Sequence, residues 1–283
     1  MKLDGKNIAI DILSHLKERV GELKKKNIHP HFAVILVGDD ASSTAYVRQK
    51  ELKSEEIGMK ISVFKYPQTI TEKELLIKVH ELNNDTLIHG IIIQRPLPIH
   101  IDPQKITEAT FLAKDVDGFS QDSPFSPPIA LAVIKLLEEA KNSQGITTSI
   151  NEYLLHKNIT ILGKGKTAGS PIINEFHKRN IPLTVIDTKT PNKSTTLKNA
   201  DIVISAVGKK DVFSSQDIKE EAIVIGVGMF QEENKLKGDY SMNDIATKAS
   251  FYTGVPGGVG PVNVAYLLSN VIDAAEKHLD NKE

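Results

Sequence analysis

Apolar positions Ile8, Ile12, Leu13, Leu16, Val20 and Leu23 recur near helical spacing, so residues 5–26 are predicted to form an amphipathic helix. The run HFAVILV, His31–Val37, is short and apolar and ends in Gly38 and two aspartates, as a buried strand running into a turn does. A helical period returns over 42–57, followed by a strand near 61–65, a helix near 71–83, and a strand over 89–93 that ends in QRPLP. This βαβαβ order predicts a parallel sheet whose ligands gather beyond the carboxyl ends of its strands.

Three prolines among serines, a glutamine and an aspartate make 119–128 (FSQDSPFSPP) the best linker candidate. A helix over 129–141 follows, then a second alternating series with strands at 158–162, 182–186, 201–206 and 222–227. The tail VPGGVGP is a glycine-rich turn leading into an amphipathic helix over 262–278, and no solenoid repeat or low-complexity tract interrupts the pattern. At 283 residues the chain is long enough for two lobes or one large α/β domain.

Composition narrows the class of function. Hydrophobic residues make up 40% and charged residues 25%, as in ordinary globular chains, and the formal net charge is −1. Without a basic block there is no footprint for nucleic acid or for an anionic membrane, so the expected partners are small molecules. Cysteine is absent, which removes disulfides, thiolate nucleophiles and cysteine metal sites together; no metal is expected. Asp4 and Gly5 interrupt the opening MKLDGKNIAI where a secretory signal needs an apolar core, and no apolar run approaches the ~20 residues that span a bilayer. The expected location is the cytoplasm.

Two stretches carry candidate chemistry. ITILGKGKTAGSPIINEF reads as a strand, then Gly163, Gly165 and Gly169, then a helix started by Pro171. Glycines let a backbone turn tightly against a pyrophosphate, and a helix N-terminus offers unpaired N–H groups. The spacing G-x-G-x-x-x-G is one residue longer than the common fingerprint, and alone it is equally a structural turn. The strands that follow, with Asp187 ending the next of them, favour a dinucleotide site.

In STAYVRQKE, residues 43–51, Ser43, Tyr46 and Lys50 stand at i, i+3 and i+7 on one helical stripe close to a strand's carboxyl end. A partly desolvated lysine there has a lowered pKa suited to proton transfer, whereas on an exposed helix it is only a solvated charge. Gln94 after HGIII, and Asp117 in AKDVDGF, supply an amide and a carboxylate that a polar heterocycle can use. Their plain alternatives are satisfying loop backbone and capping a turn before Gly118.

With these residues in place, the whole chain resembles the bifunctional methylenetetrahydrofolate dehydrogenase/cyclohydrolase family. The likeness runs through DGK, VILVGDD.S..YV..K, HGIIIQ.PLP, KDVDGF, the glycine cradle, ADIVISAVGK and VPGGVGPV, in that order. It implies an α/β folate-site lobe over 1–120, joined by a returning helix over 262–283, and a Rossmann-type NAD(P)-binding lobe over 121–261. It also implies tetrahydrofolate substrates and a homodimer.

By the same resemblance, Lys50 is the catalytic lysine of the cyclohydrolase step, Gln94 the partner that tunes it, Tyr46 the ring that stacks near the folate, and Asp117 the anchor of the pterin. Ser43, Pro256, Gly257 and Gly258 fall among substrate contacts, and Gly163, Lys164, Gly165, Asp187, Thr188 and Met229 fall where the cofactor is held. Lys164 stands where an arginine is usual, and Asp187 beside Thr188 favours a free ribose hydroxyl, so NADP is expected with NAD as the alternative. Gly226 and Asn263 replace a usual aspartate and threonine, and the segment after Asp117 is shortened, which predicts altered folate-tail contacts. A relative with a single activity, or a non-catalytic folate-binding regulator, are the competing readings.

Overall fold

The structure is a computed structural model that describes residues 1–233 and 235–280. Its chain divides into two compact units: Met1–Ala9 with Ile129–Asn263, and Ile10–Pro128 with the stretch from Val264 onward.

The second of these units is built on a parallel three-stranded sheet in the order Lys60–Tyr66, His31–Val37, Gly90–Ile93. All seven residues of the central strand are buried, which is why it reads as an unbroken apolar run rather than as an alternation. Ala33, Ile35 and Val37 pack with Leu75, Val79 and Leu82 of the helix Glu72–Asn84 and with Ile91 and Ile93 of the neighbouring strand. Thr71 and Glu74 cap that helix reciprocally. The helix Ala41–Ile57 starts where the Asp40 side chain accepts from Ser43 N (2.7 Å) and stops at Gly58, whose φ of 80° ends the right-handed turn. Because the sheet is parallel, the segments that follow His31–Val37 and Gly90–Ile93 leave from the same end of the sheet.

The other unit holds, among the described residues, a six-stranded sheet in the order Lys2–Leu3, Phe251–Thr253, Ile223–Gly226, Ile202–Ser205, Ile159–Leu162, Thr184–Ile186, parallel throughout. Four of these strands coincide with the sequence reading to within two residues; the first two are additions. Lys2–Leu3 is too short to show a period, and it becomes a strand only by pairing with Tyr252 and Thr253. An antiparallel pair, Met229–Glu232 with Lys235–Gly238, also lacks a readable apolar alternation. The helix after the glycine cradle begins at Gly169, two residues before Pro171. Proline is tolerated in a first helical turn because its missing N–H would have no partner there.

Candidate active site

Lys50 projects from the helix Ala41–Ile57 and is only 6% exposed, so it is not the solvated lysine of an open helix face. Its Nζ donates to Gln94 Oε1 at 3.0 Å. Gln94 in turn donates through Nε2 to the carbonyl of Arg95 (3.0 Å), and Ser43 Oγ donates to the same carbonyl (3.3 Å). One backbone oxygen after the strand Gly90–Ile93 therefore fixes both the amide that meets the lysine and the hydroxyl two helical turns before it on the same face. Ser54 Oγ bonds the Lys50 carbonyl at 2.7 Å, adding a brace from within the helix.

Burial pushes the Lys50 amine below its ordinary value, and the negative charge of Asp117 opposes that shift. Burial raises the half-buried Asp117 carboxyl to about 6. Lys50 pulls it down, Asp115 raises it, and Arg95 pulls it down less strongly. Tyr46, half-buried on the same helix, is also raised by burial. Ser43, Tyr46, Lys50, Gln94 and Asp117 all belong to one unit.

The turn that carries Asp117 is held by a different aspartate. Asp115 accepts from Ser120 N (2.8 Å) and Phe119 N (3.4 Å), and its carbonyl accepts from Gly118 N (3.0 Å). Gly118 takes a φ of 65°, and a Cβ there would lie 2.5 Å from the Phe125 carbonyl. From the last helix, Asn270 donates to the carbonyls of Val116 (2.8 Å) and Ser126 (3.0 Å), tying both ends of the segment between them. Arg95 lies over the Phe119 ring at 4.7 Å and donates to Thr107 Oγ1 at 2.9 Å. Its Nε is buried without a protein partner, beside a small cavity lined in part by Ile91, Thr107, Asp115 and Asp117. Asp115 and Arg95 are not singled out by sequence reasoning; the repeated aspartate of KDVDG was the available signal.

The remaining candidates lie in the other unit. Gly163 leaves the strand Ile159–Leu162 with φ 89°, and a Cβ on it would stand 2.7 Å from the Ala206 carbonyl. A Cβ on Gly169 would collide with the Gly163 carbonyl, while one on Gly165 would meet nothing within 4 Å. Close packing at two glycines and open space at the third fit a turn that a pyrophosphate can approach. Lys164 Nζ pairs with Asp187 Oδ2 at 2.7 Å, and Asp187 also accepts from Lys189 N (2.9 Å) and Thr190 Oγ1 (3.1 Å). These donors, Lys164 foremost, hold the Asp187 carboxyl down to about 2. Thr188 is exposed beside it, and the Met229 carbonyl would stand 3.1 Å from a Cβ on Gly208. The Gly257 and Gly258 backbone packs against Gly5, and Pro256, Gly257 and Gly258 belong to the same unit as the cofactor candidates rather than that of Lys50. The glycine at 226 has a local reason: a Cβ there would stand 2.9 Å from the Tyr240 hydroxyl, which bonds the Thr253 carbonyl. Tyr240 thus takes the room a larger residue at 226 would need.

A parallel α/β unit with a glycine cradle, and a second unit that buries a lysine against an amide and a carboxylate, define a two-unit α/β protein with a dinucleotide-type fold. The chain belongs to the tetrahydrofolate dehydrogenase/cyclohydrolase family. Residues 3–117 match the family's catalytic domain and residues 127–279 its NAD(P)-binding domain. A relative from Moorella thermoacetica, "Bifunctional protein FolD", is 39% identical over 285 residues, spanning 97% of this chain and 98% of that protein. The solved bifunctional FolD enzyme of Campylobacter jejuni superposes with a TM-score of 0.90 at 36% identity, covering 98% of this chain and 99% of its own. The Trypanosoma brucei dehydrogenase-cyclohydrolase, solved with NADP and an inhibitor, superposes with a TM-score of 0.89 at 28% identity, covering 99% and 98%.

Proposed function

We propose that this protein oxidises methylene-tetrahydrofolate to the methenyl form with NADP and hydrolyses the methenyl form to formyl-tetrahydrofolate. The observation that carries this reading is the desolvated Lys50 amine, hydrogen-bonded to Gln94 and facing the charge of Asp117. A binding protein has no use for a lysine kept off its ordinary pKa, since a solvated ammonium binds anions equally well at lower cost.

NADP, when bound, supplies the hydride acceptor. The fit of the residues to it rests on the 163–169 turn, where Gly163, Lys164 and Gly165 would hold the phosphates, with Asp187, Thr188 and Met229 around the rest of the nucleotide. Lys164 is the cation available to a ribose phosphate if it exchanges Asp187 for it; with Asp187 left bare, the carboxylate suits the ribose hydroxyl of NAD.

For the hydrolytic step, a pKa lowered by burial makes Lys50 a readier proton partner for the water adding to the methenyl carbon, and Gln94 Oε1 fixes the direction of Nζ. Asp117 is the acceptor for pterin N–H groups, Tyr46 the ring against the folate, and Ser43 a further substrate contact. Both reactions act on one carbon, so one placement of the substrate serves both. The protein is read as a cytoplasmic homodimer.

Absorbance tests this directly. Methylene-tetrahydrofolate with NADP and with NAD in parallel should yield reduced nicotinamide, faster with NADP, and methenyl-tetrahydrofolate alone should decay faster with the protein than without. Absence of nicotinamide reduction with both cofactors removes the dehydrogenase, and unaccelerated methenyl decay removes the hydrolase.

A further inference from the structure

Strand Ile159–Leu162 lies between Thr184–Ile186 and Ile202–Ser205, so the order of connection reverses at this point of the sheet. A dinucleotide crevice in an open α/β sheet opens at such a switch point, beyond the carboxyl ends of the diverging strands. One wall is the 163–169 turn. The other is the loop 206–209, which follows Ile202–Ser205 and approaches Gly163 so closely that a Cβ there would stand 2.7 Å from the Ala206 carbonyl.

This second wall is fastened by a side chain outside every motif that marks the crevice. Asp239 is fully buried, at 0% exposure. Its Oδ2 accepts from Ser205 Oγ (2.6 Å) and Val207 N (3.0 Å), and its Oδ1 accepts from Gly208 N (2.7 Å) and Lys209 N (3.0 Å). Three successive backbone N–H groups thus converge on one carboxylate, the kind of concave nest that elsewhere receives a phosphate. Space for the carboxylate depends on Gly228, where a Cβ would collide with both of its oxygens. The Asp239 main chain joins the same arrangement, its carbonyl accepting from Val212 N at 2.8 Å beyond the loop.

We propose that Asp239 is a positioning residue for the dinucleotide: its carboxylate sets the shape of the 206–209 wall and, by occupying the N–H groups of residues 207–209, leaves pyrophosphate binding to the 163–169 turn. The inference rests on the reading of this unit as the NADP-binding one. A neutral amide of the same size breaks the arrangement, because an Asn side chain presents an NH2 group to two of the four donors. The Ser205 hydroxyl can rotate to accept from it, whereas a backbone N–H cannot.

Hydrolysis of methenyl-tetrahydrofolate consumes no nicotinamide, so it monitors folding and the folate site in the same preparation. For Asp239→Asn in the full chain, the Kd and KM for NADP should rise at least about tenfold, with dehydrogenase kcat at saturating NADP and methenyl hydrolysis each within about threefold of the parent protein. A folded variant with unchanged NADP affinity overturns the proposal, as does an equal loss of both activities, which marks a general structural role. Ser205→Ala removes one donor alone and should weaken NADP binding by about threefold with hydrolysis intact; it decides the question if Asp239→Asn fails to fold, and unchanged affinity there overturns the proposal too. Absence of NADP binding by the parent protein would instead remove the cofactor reading itself, a result separable from the variant data.

Discussion

Two lysine–carboxylate combinations in this molecule use the same chemical groups to opposite effect. Lys50 is buried with Asp117 close enough to interact, and desolvation dominates both, moving the amine down and the carboxyl up to about 6. Lys164 and Asp187 meet at 2.7 Å with side chains 63% and 25% exposed, and there the pairing dominates, taking the carboxyl down to about 2. The difference lies in solvent. Where water is excluded, the cost of carrying charge exceeds the mutual attraction and both groups drift toward neutrality, where protons move easily. Where water remains, the pair stays charged but is screened, so either partner can be exchanged for an incoming ligand.

The sharpest break of this contrast is Lys50→Met, which keeps the length of the side chain and deletes the amine. Methenyl hydrolysis should fall by roughly 10²–10⁴-fold in a protein whose circular dichroism and melting are unaltered, and unchanged hydrolysis would refute the role of the amine. In the parent protein the hydrolysis rate should climb with pH and level off below the ordinary lysine value of 10.5, because burial favours the free base.

Asp117→Asn probes the other half of the buried pair. With a carboxyl near 6, the ionised acceptor is present above that pH and is lost as pH falls through it. The KM for the folate substrate should therefore be flat at neutral pH and rise in acid. The asparagine variant should show a KM about tenfold higher with the acid limb removed. An unaltered acid limb would assign that titration to another group.

The smallest effect belongs to the exposed pair. Asp187→Ser should raise the ratio of NADP to NAD efficiency by about fivefold, the influence expected of one charge near a phosphate in water, while the thermal midpoint hardly moves. A constant ratio would show that the carboxylate does not face the ribose.

Much of the fold is legible along the chain because periodicity reports burial. The strand His31–Val37 coincides with its apolar run, and the helix Glu72–Asn84 starts one residue after the threonine that caps it. The strand Lys2–Leu3 is not legible, since two residues carry no period and their partners lie at 252 and 253. The site divides in the same way. Lys50 and Gln94 can each be marked as candidates from their places on a helical stripe and at a strand end, but the 3.0 Å bond between them joins positions 44 apart in the chain. Asp239 has no local signal at all, because what distinguishes it is the set of donors supplied by residues 205–209.

By itself, the order of residues determined the alternation of helices and strands, the glycines at turns where a side chain would collide, and the types of chemistry on offer, since these follow from local sterics and from which faces must leave water. Tertiary structure alone decided which of the chain's many lysines are dry, which aspartate holds a turn and which faces an ammonium, and which carboxylate gathers a loop's N–H groups. Those outcomes depend on desolvation and on distances between remote segments, and neither quantity exists until the chain has packed.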